Sequence, residues 1–353
     1  RTFTLAIDAM GGDHAPAMVL AGLEIAAERH PEARFLLVGD ETRLVPLLKH
    51  LRRASAACTL RHAPEVIGNE MKVTAALRVR AASMRVAIEA VAAGEAAGVV
   101  SAGNTGALMA MAKIVLKTLP GIDRPAMAAI GPSARGDIVM LDLGANVASD
   151  ARNLVEFAVM GDVFARTVLG LVAPTIGLLN VGSEAQKGDD RVREAAEVLR
   201  HSPIAPQFYG FVEGHDIAGG TTDVIVTDGF TGNIALKTGE GTLKLIGGLL
   251  RQVFRSSLAA RIAYLLARPA LERLREWLDP RRYNGAVMLG LNGVVVKSHG
   301  GTDAEGFAHA VDVAMDMVVH RFNDQIREGL ARLVAASAAP DSTGGSARLA
   351  TAL

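Results

Sequence analysis

Short runs of aliphatic and β-branched residues alternate with stretches of helical periodicity along most of the chain. Residues 4–7, 34–38, 58–62, 99–100, 138–141, 175–179, 208–213, 224–226 and 294–296 read as strands. Helices are predicted over 16–29, 42–52, 75–93, from the loop at 101–106 to about 119, from about 152, up to 199, and over about 303–333; Pro16 suits a first helical turn. Strands alternating with helices predict an α/β fold with a mostly parallel sheet. There is no internal repeat. One catalytic domain over residues 1–336 is expected, and the Ala, Ser, Gly and Thr-rich residues 337–353 predict a disordered tail.

The strands end in similar loops. Asp8-Ala-Met-Gly-Gly-Asp13, Ser101-Ala-Gly-Asn-Thr-Gly106, Asp142-Leu-Gly-Ala-Asn146, Asn180 to Gly188 and Asp228-Gly-Phe-Thr-Gly-Asn233 each join a strand to a helix. Unpaired N–H groups at helix starts attract anions, and open α/β sheets bind ligands at the carboxyl ends of their strands. Tight turns alone would explain the glycines. They do not explain the recurring carboxamides, carboxylates and hydroxyls.

Composition narrows the chemistry. Lys+Arg and Asp+Glu are both 37 and aromatics are 4%, so neither charge nor stacking points to nucleic acid. The single cysteine, Cys58, lies in a predicted strand and reads as a buried, inert thiol, which leaves no disulfide framework and no cysteine metal site. The start already reads as a strand, so no signal peptide is expected, and no apolar run reaches the ~18 residues that span a bilayer. A soluble cytoplasmic protein is expected. Nucleotide-binding glycine motifs, H-E-x-x-H and G-x-S-x-G are absent, and His14 and His299 read as hydrogen-bonded loop residues. What remains suits an anionic substrate that brings its own nucleophile, such as phosphate. Lys187 would hold its charge, or is a solvated lysine at a helix start; Asn104 and Asn233 would orient its oxygens.

Several long motifs occur in order: DAMGGD (8–13), SAGNTGALMA (101–110), RPA (124–126), DLGAN (142–146), DGFTGN (228–233), LKTGEG (236–241) and NGAVMLGLNGVVVKSHG (284–300). With them the chain resembles the bacterial phosphate acyltransferases of phospholipid synthesis, from about residue 3 to 333. The resemblance implies a three-layer α/β sandwich related to phosphotransacetylase and the isopropylmalate dehydrogenases, assembled as a homodimer. It implies transfer of a fatty acyl group from acyl carrier protein to inorganic phosphate, with no metal or organic cofactor. The acyl phosphate would feed a membrane glycerol-3-phosphate acyltransferase. Lys187 and Asn233 are the implied catalytic residues; Asp8, Gly11, Gly12, Asn104, Thr105, Asn146 and Asp228 are the implied substrate-binding residues. The chain departs from the family pattern in three places. Residues 182–188 have fewer glutamates, residues 66–84 fit loosely, and Phe211 and His215 stand where Asn and Arg are usual. Rival readings are a short-chain phosphotransacetylase using acyl-CoA and a non-catalytic membrane-associated scaffold. A dehydrogenase would need an acidic metal cluster that the sequence does not display.

Residues 243–278 form a second feature. Seven basic residues face only Glu272 and Glu276, and Leu243, Ile246, Leu250, Val253 and Phe254 fall on one helical face. A basic amphipathic helical hairpin is predicted, suited to peripheral contact with the anionic inner face of the cell membrane, to the dimer interface, or to an acidic carrier protein.

Overall fold

The computed structural model describes residues 3–338. The chain runs β1 (Thr4–Asp8), α1 (Ala17–Arg29), β2 (Arg34–Gly39), α2 (Glu41–Leu48), α3 (Arg52–Ala57), β3 (Cys58–His62), α4 (Val73–Ala76), α5 (Ser83–Ala92), β4 (Gly98–Ser101), α6 (Thr105–Leu116), β5 (Ala126–Ser133) and β6 (Gly136–Leu141). It continues through α7 (Ala151–Val168), β7 (Ile176–Leu179), α8 (Asp190–Arg200), β8 (Phe208–Val212), α9 (Gly214–Gly219), β9 (Val224–Val226), α10 (Gly229–Arg255), α11 (Leu258–Trp277), β10 (Ala286–Leu289), β11 (Val294–Lys297), α12 (Ala304–Val319) and α13 (Phe322–Ala338). Of the predicted tail, Ser337 and Ala338 close α13; the rest lies outside the described residues.

The strands form one sheet in the order β3-β2-β1-β4-β11-β10-β5-β6-β9-β7-β8. Alternate side chains of a strand face opposite layers. Thus Leu5 and Ile7 join a large apolar cluster with α1, α7, α12 and α13, whereas Ala6 joins a second cluster with α5 and α6. This is a three-layer α/β arrangement.

Most of the sheet is parallel, with one reversal in the middle. β10 pairs antiparallel with both β11 and β5, and β5 pairs antiparallel with β6. Following these pairings, β1 to β5 and β11 run one way, and β6 to β10 run the other. Neither β5 nor β10 is predicted from the hydrophobic pattern. β5 reads Ala-Met-Ala-Ala-Ile-Gly-Pro-Ser, without a β-branched run, and β10 is only four residues between Gly285 and Gly290.

Three predicted helices are each divided in two. The 42–52 helix stops at Leu48 and restarts at Arg52. The 75–93 helix is split by residues 77–82 into α4 and α5. The last helix breaks at Arg321, whose φ is 53°. A periodic apolar face continues across each break, which is why periodicity alone runs them together.

Phe307 of α12 is fully buried and lies where a side chain on Gly22 of α1 would have to be, 2.9 Å from an added Cβ. The small residue on one helix receives the ring of the other. Phe307→Ala should cost about 3–5 kcal/mol, read from the urea midpoint; a loss under about 1 kcal/mol would contradict this packing.

Candidate active site

The reversal divides the predicted site residues between two edges of the sheet. Asp8, Gly11, Gly12, Asn104 and Thr105 lie at the carboxyl ends of β1 and β4. Lys187, Asn146, Asp228 and Asn233 lie at the carboxyl ends of β6, β7 and β9, on the opposite edge. Four strand spacings, roughly 19 Å at about 4.8 Å each, also separate β11 from β9. The nine residues therefore fall into two groups, at the ends of strands that run in opposite directions.

The first edge is a closed polar network. Asp8 is 1% exposed and accepts hydrogen bonds from the hydroxyls of Ser83 and Ser101, each at 2.6 Å, and from the Met10 N–H. Burial pushes its carboxyl above the usual carboxylate range, and these hydrogen bonds oppose that. A side chain on Gly11 would lie 2.5 Å from Asp8 Oδ2, so Gly11 lets its loop cross the carboxylate. Gly12 has φ 110° and contacts Ala102 and Gly300 in the same way. Asn104 caps α6 through its Oδ1 and donates to the Asn69 carbonyl, while Thr105 opens that helix on the surface. Lys297, at the end of β11, is 9% exposed, and its ammonium donates to the carbonyls of Ala102 and Ser298.

The second edge is built around Asp142, which is fully buried. Its Oδ1 accepts the N–H groups of Met127, Gly144 and Ala145 at 2.9–3.2 Å; its Oδ2 accepts the N–H of Asn146 at 2.8 Å and that residue's amide at 2.9 Å. Asn146 also donates to the Pro125 carbonyl, so it holds the loop and is itself buried. Burial pushes the Asp142 carboxyl upward and the surrounding donors pull against it. α10 then packs onto this turn. An added Cβ on Gly229 would sit 2.7 Å from Asp142 Oδ2, and one on Gly232 only 1.9 Å from the Asp142 carbonyl oxygen. Asp228 caps the helix by accepting from the Thr231 N–H at 2.8 Å. This places Asn233 over Gly144, with its Nδ2 3.3 Å from where a Cβ would be.

Lys187 comes from the neighbouring loop. Asn180 closes that loop by donating to the Lys187 carbonyl at 3.1 Å and accepting from the Val181 N–H. The Lys187 side chain is exposed and runs over Gly182. Arg191, in the first turn of α8, ties this loop to the others: it donates to the Ser149 carbonyl at 3.1 Å and lies 4.0 Å from the Asp228 carboxylate. Among the described residues neither the Lys187 ammonium nor the Asn233 amide has a hydrogen-bond or ion-pair partner. Both are polar donors held on one edge and left open to solvent.

Arg124, Asp142 and Arg191 belong to this edge and are not among the predicted site residues, although Arg124 and Asp142 stand in the RPA and DLGAN motifs. Arg124 stands just ahead of β5, paired with Asp123 and donating to the Ala148 carbonyl. Its signal is the RPA motif, which acquires a position only once β5 is recognised. Among the described residues no three His, Cys, Asp or Glu side chains come together as a metal-holding group.

The fold is that of the phosphotransacetylases. That of Streptococcus pyogenes superposes with a TM-score of 0.62 at 18% identity, covering 90% of this chain and 94% of the other. The EutD phosphotransacetylase of Staphylococcus aureus gives 0.57 at 16%, with the same coverage. Sequence gives a narrower assignment. A family profile described as fatty acid synthesis protein matches residues 3–325. The phosphate acyltransferase of Granulibacter bethesdensis is 74% identical over 96% of this chain and 92% of its own length, and that of Rhodospirillum centenum 63% over 97% and 98%. The chain belongs to the phosphate acyltransferase family.

Two outcomes follow from the two edges. Gly232→Ala drives a methyl into the Asp142 carbonyl and should displace the first turn of α10, lowering Tm by several degrees and abolishing turnover; a fully active variant would contradict the packing. Burial pulls the Lys297 pKa from 10.5 down to about 8, against the pull of Asp8 and Asp13. Between pH 8 and 10.5 the unfolded chain keeps a proton that the folded chain has released, so this group's contribution to stability rises with pH. Wild type should therefore gain on Lys297→Met across that window, by roughly 1.4 kcal/mol per pH unit at most, in matched thermal melts. A difference that stays flat would exclude the shift.

Proposed function

We propose that the edge carrying Lys187 and Asn233 transfers a fatty acyl group from acyl carrier protein to inorganic phosphate, releasing acyl phosphate and free carrier protein. The observation that carries this reading is the pair of donors without a partner among the described residues, the cationic one on the loop after β7 and the neutral one near the start of α10, after the adjacent strand β9. Relatives named phosphate acyltransferases support the acyl group and the phosphate. The carrier protein as donor and the acyl phosphate as product are our reading of the site and of the motifs.

A phosphate oxygen attacks the thioester carbonyl, the C–O bond forms, and the C–S bond breaks as the thiolate leaves. Phosphate at neutral pH is already nucleophilic, so the protein's task is positioning and stabilising the oxyanion of the tetrahedral intermediate. Lys187 balances charge on phosphate or on that oxyanion, and the Asn233 amide donates to the same centre. Asp228 fixes the helix start that carries Asn233; Asn146 fixes the turn beneath it. Asp8, Gly11, Gly12, Asn104 and Thr105 would serve a substrate only from the other edge, so in this reading they maintain the fold there. A single sheet, with strands from Thr4 to Lys297, supports reading residues 1–336 as one catalytic domain. The acyl-CoA phosphotransacetylase reading shares the fold, and a donor comparison separates the two.

Lys187→Ala and Asn233→Ala should each lower kcat about 10²–10³-fold, with unchanged Tm, in an assay of phosphate-dependent release of free carrier protein. Near-wild-type rates in both would remove the assignment, and a strong preference of the wild type for short-chain acyl-CoA would favour the rival.

The product would pass to a membrane glycerol-3-phosphate acyltransferase, and the hairpin supports this route. No helix among the described residues is long and apolar enough to cross a membrane. α10 and α11 are nevertheless amphipathic: Leu245, Leu249, Val253, Leu258, Leu265 and Leu266 are exposed, and α11 buries no residue at all. An apolar surface of this kind needs a cover. We read it as the homodimer contact and as a peripheral contact with anionic lipid, drawn by Arg251, Arg255, Arg261 and Arg268. The chain should float with anionic vesicles at low salt and lose them at high salt; no binding at low salt would reject the lipid contact.

A further inference from the structure

β8 is the last strand of the sheet and pairs only with β7, so one of its backbone edges is open. Phe208 pairs with Ile176 and Gly210 with Gly177, which leaves Tyr209 as an extra, exposed residue in a bulge. Beside this strand lies a cavity of about 520 Å³. Ser183 and Ala185 are among the residues that line it, and they belong to the loop that carries Lys187. Arg200 lines it as well, and one wall is β8 itself, from Phe208 to Phe211.

The groups along this groove differ in kind. Over the strand the Arg200 guanidinium lies 6.0 Å from the Phe208 ring centroid and 5.9 Å from that of Phe211, and 3.5 Å from the Glu197 carboxylate. The two rings hold a cation over an apolar floor. Phe211 is one of the positions where the chain departs from the usual family pattern. The acidic residues that line it are already engaged: Glu213 and Asp216 cap α9 reciprocally, and Asp216 also accepts from the Thr221 hydroxyl. What remains for a ligand is a strand edge that offers amide partners, aromatic surface, and the Arg200 N–H groups not turned to the Glu197 carboxylate.

We infer that this groove holds the phosphopantetheine arm of the acyl carrier protein, with the thioester at the Lys187 loop and the phosphodiester at Arg200. The arm is an extended chain with amides along its length and a phosphodiester at its protein end. The amides meet the open edge of β8 as an added strand would. The methylenes lie on Tyr209 and Phe208, and the phosphodiester pairs with Arg200. The inference rests on the carrier-protein reading of the donor and supplies the path by which that donor reaches Lys187.

Direct binding tests the groove without turnover. Holo acyl carrier protein and coenzyme A, which carry the same arm, are titrated by calorimetry into the full chain, into Arg200→Glu and into Ser183→Trp, with Tm measured for each. Wild type should bind both, and each variant should bind both at least tenfold more weakly with little change in Tm. Undiminished binding in both variants would overturn the inference. So would weakening confined to the carrier protein, because Arg200 would then be reading the protein and not its arm. Turnover of acyl carrier protein by the wild type is measured in parallel. Its absence would refute the transferase reading, whereas the titrations decide the groove on their own.

Discussion

The carboxylate of Asp142 is the contact on which the proposed catalytic edge depends. It has five N–H donors at 2.8–3.2 Å and no exposure to solvent. An unpaired buried carboxylate would be very costly, so the turn that follows β6 has one conformation open to it. That turn in turn shapes the floor for α10, whose Gly229 and Gly232 approach it too closely for any side chain. Asn233 is therefore positioned by backbone geometry and by the Asp228 cap, with its amide left unspent. Rigid placement of a donor whose hydrogens face solvent is what oxyanion stabilisation requires, because reorganisation is then already complete when charge develops.

The reversal at β10, β5 and β6 has a different consequence. A parallel sheet puts all its carboxyl ends on one edge, and a set of similar glycine-rich loops then implies one site. Here the same kind of loop closes strands that run in opposite directions. The loops after β1 and β4 are consumed by an internal network around Asp8, where each carboxylate oxygen and both serine hydroxyls already have partners. The loops after β7 and β9 keep donors in reserve. Similarity of loops in sequence thus conceals a difference in what their polar atoms are doing.

This also explains how much was legible in the sequence. Nine strands and the α/β class follow from apolar runs, and the hairpin follows from its charge and its apolar stripe. β5 and β10 do not, because small residues, a Gly-Pro pair and flanking glycines hide them. With them goes the strand polarity, and hence the separation of Asp8, Gly11, Gly12, Asn104 and Thr105 from Lys187 and Asn233. Arg124 and Arg191 escape for a related reason. An arginine has no sequence signature until the element beside it is known, and each is defined by a carbonyl or carboxylate far away in the chain. Asp142 stands within a recognised motif, yet its role as acceptor for the Met127 N–H depends on the unseen strand.

α10 begins at Asp228 and extends for 27 residues, about 40 Å at 1.5 Å per residue. Such a helix invites the idea that events at the hairpin are felt at Asn233. The burial pattern argues for insulation instead. Its buried residues are Gly229 and Gly232, both in the first turn, and beyond them the helix is mostly exposed. The site end is fixed by the Asp142 turn, the cap, and Ala235 and Leu236 packed against the second apolar cluster; the exposed remainder is steadied by α11, through contacts such as Phe254 against Tyr264 at 5.4 Å. A force on the exposed part would bend or splay the hairpin before it moved a turn wedged against backbone. The hairpin is thus mechanically separate from the edge that carries Asn233, and the geometry of that edge is held independently of it.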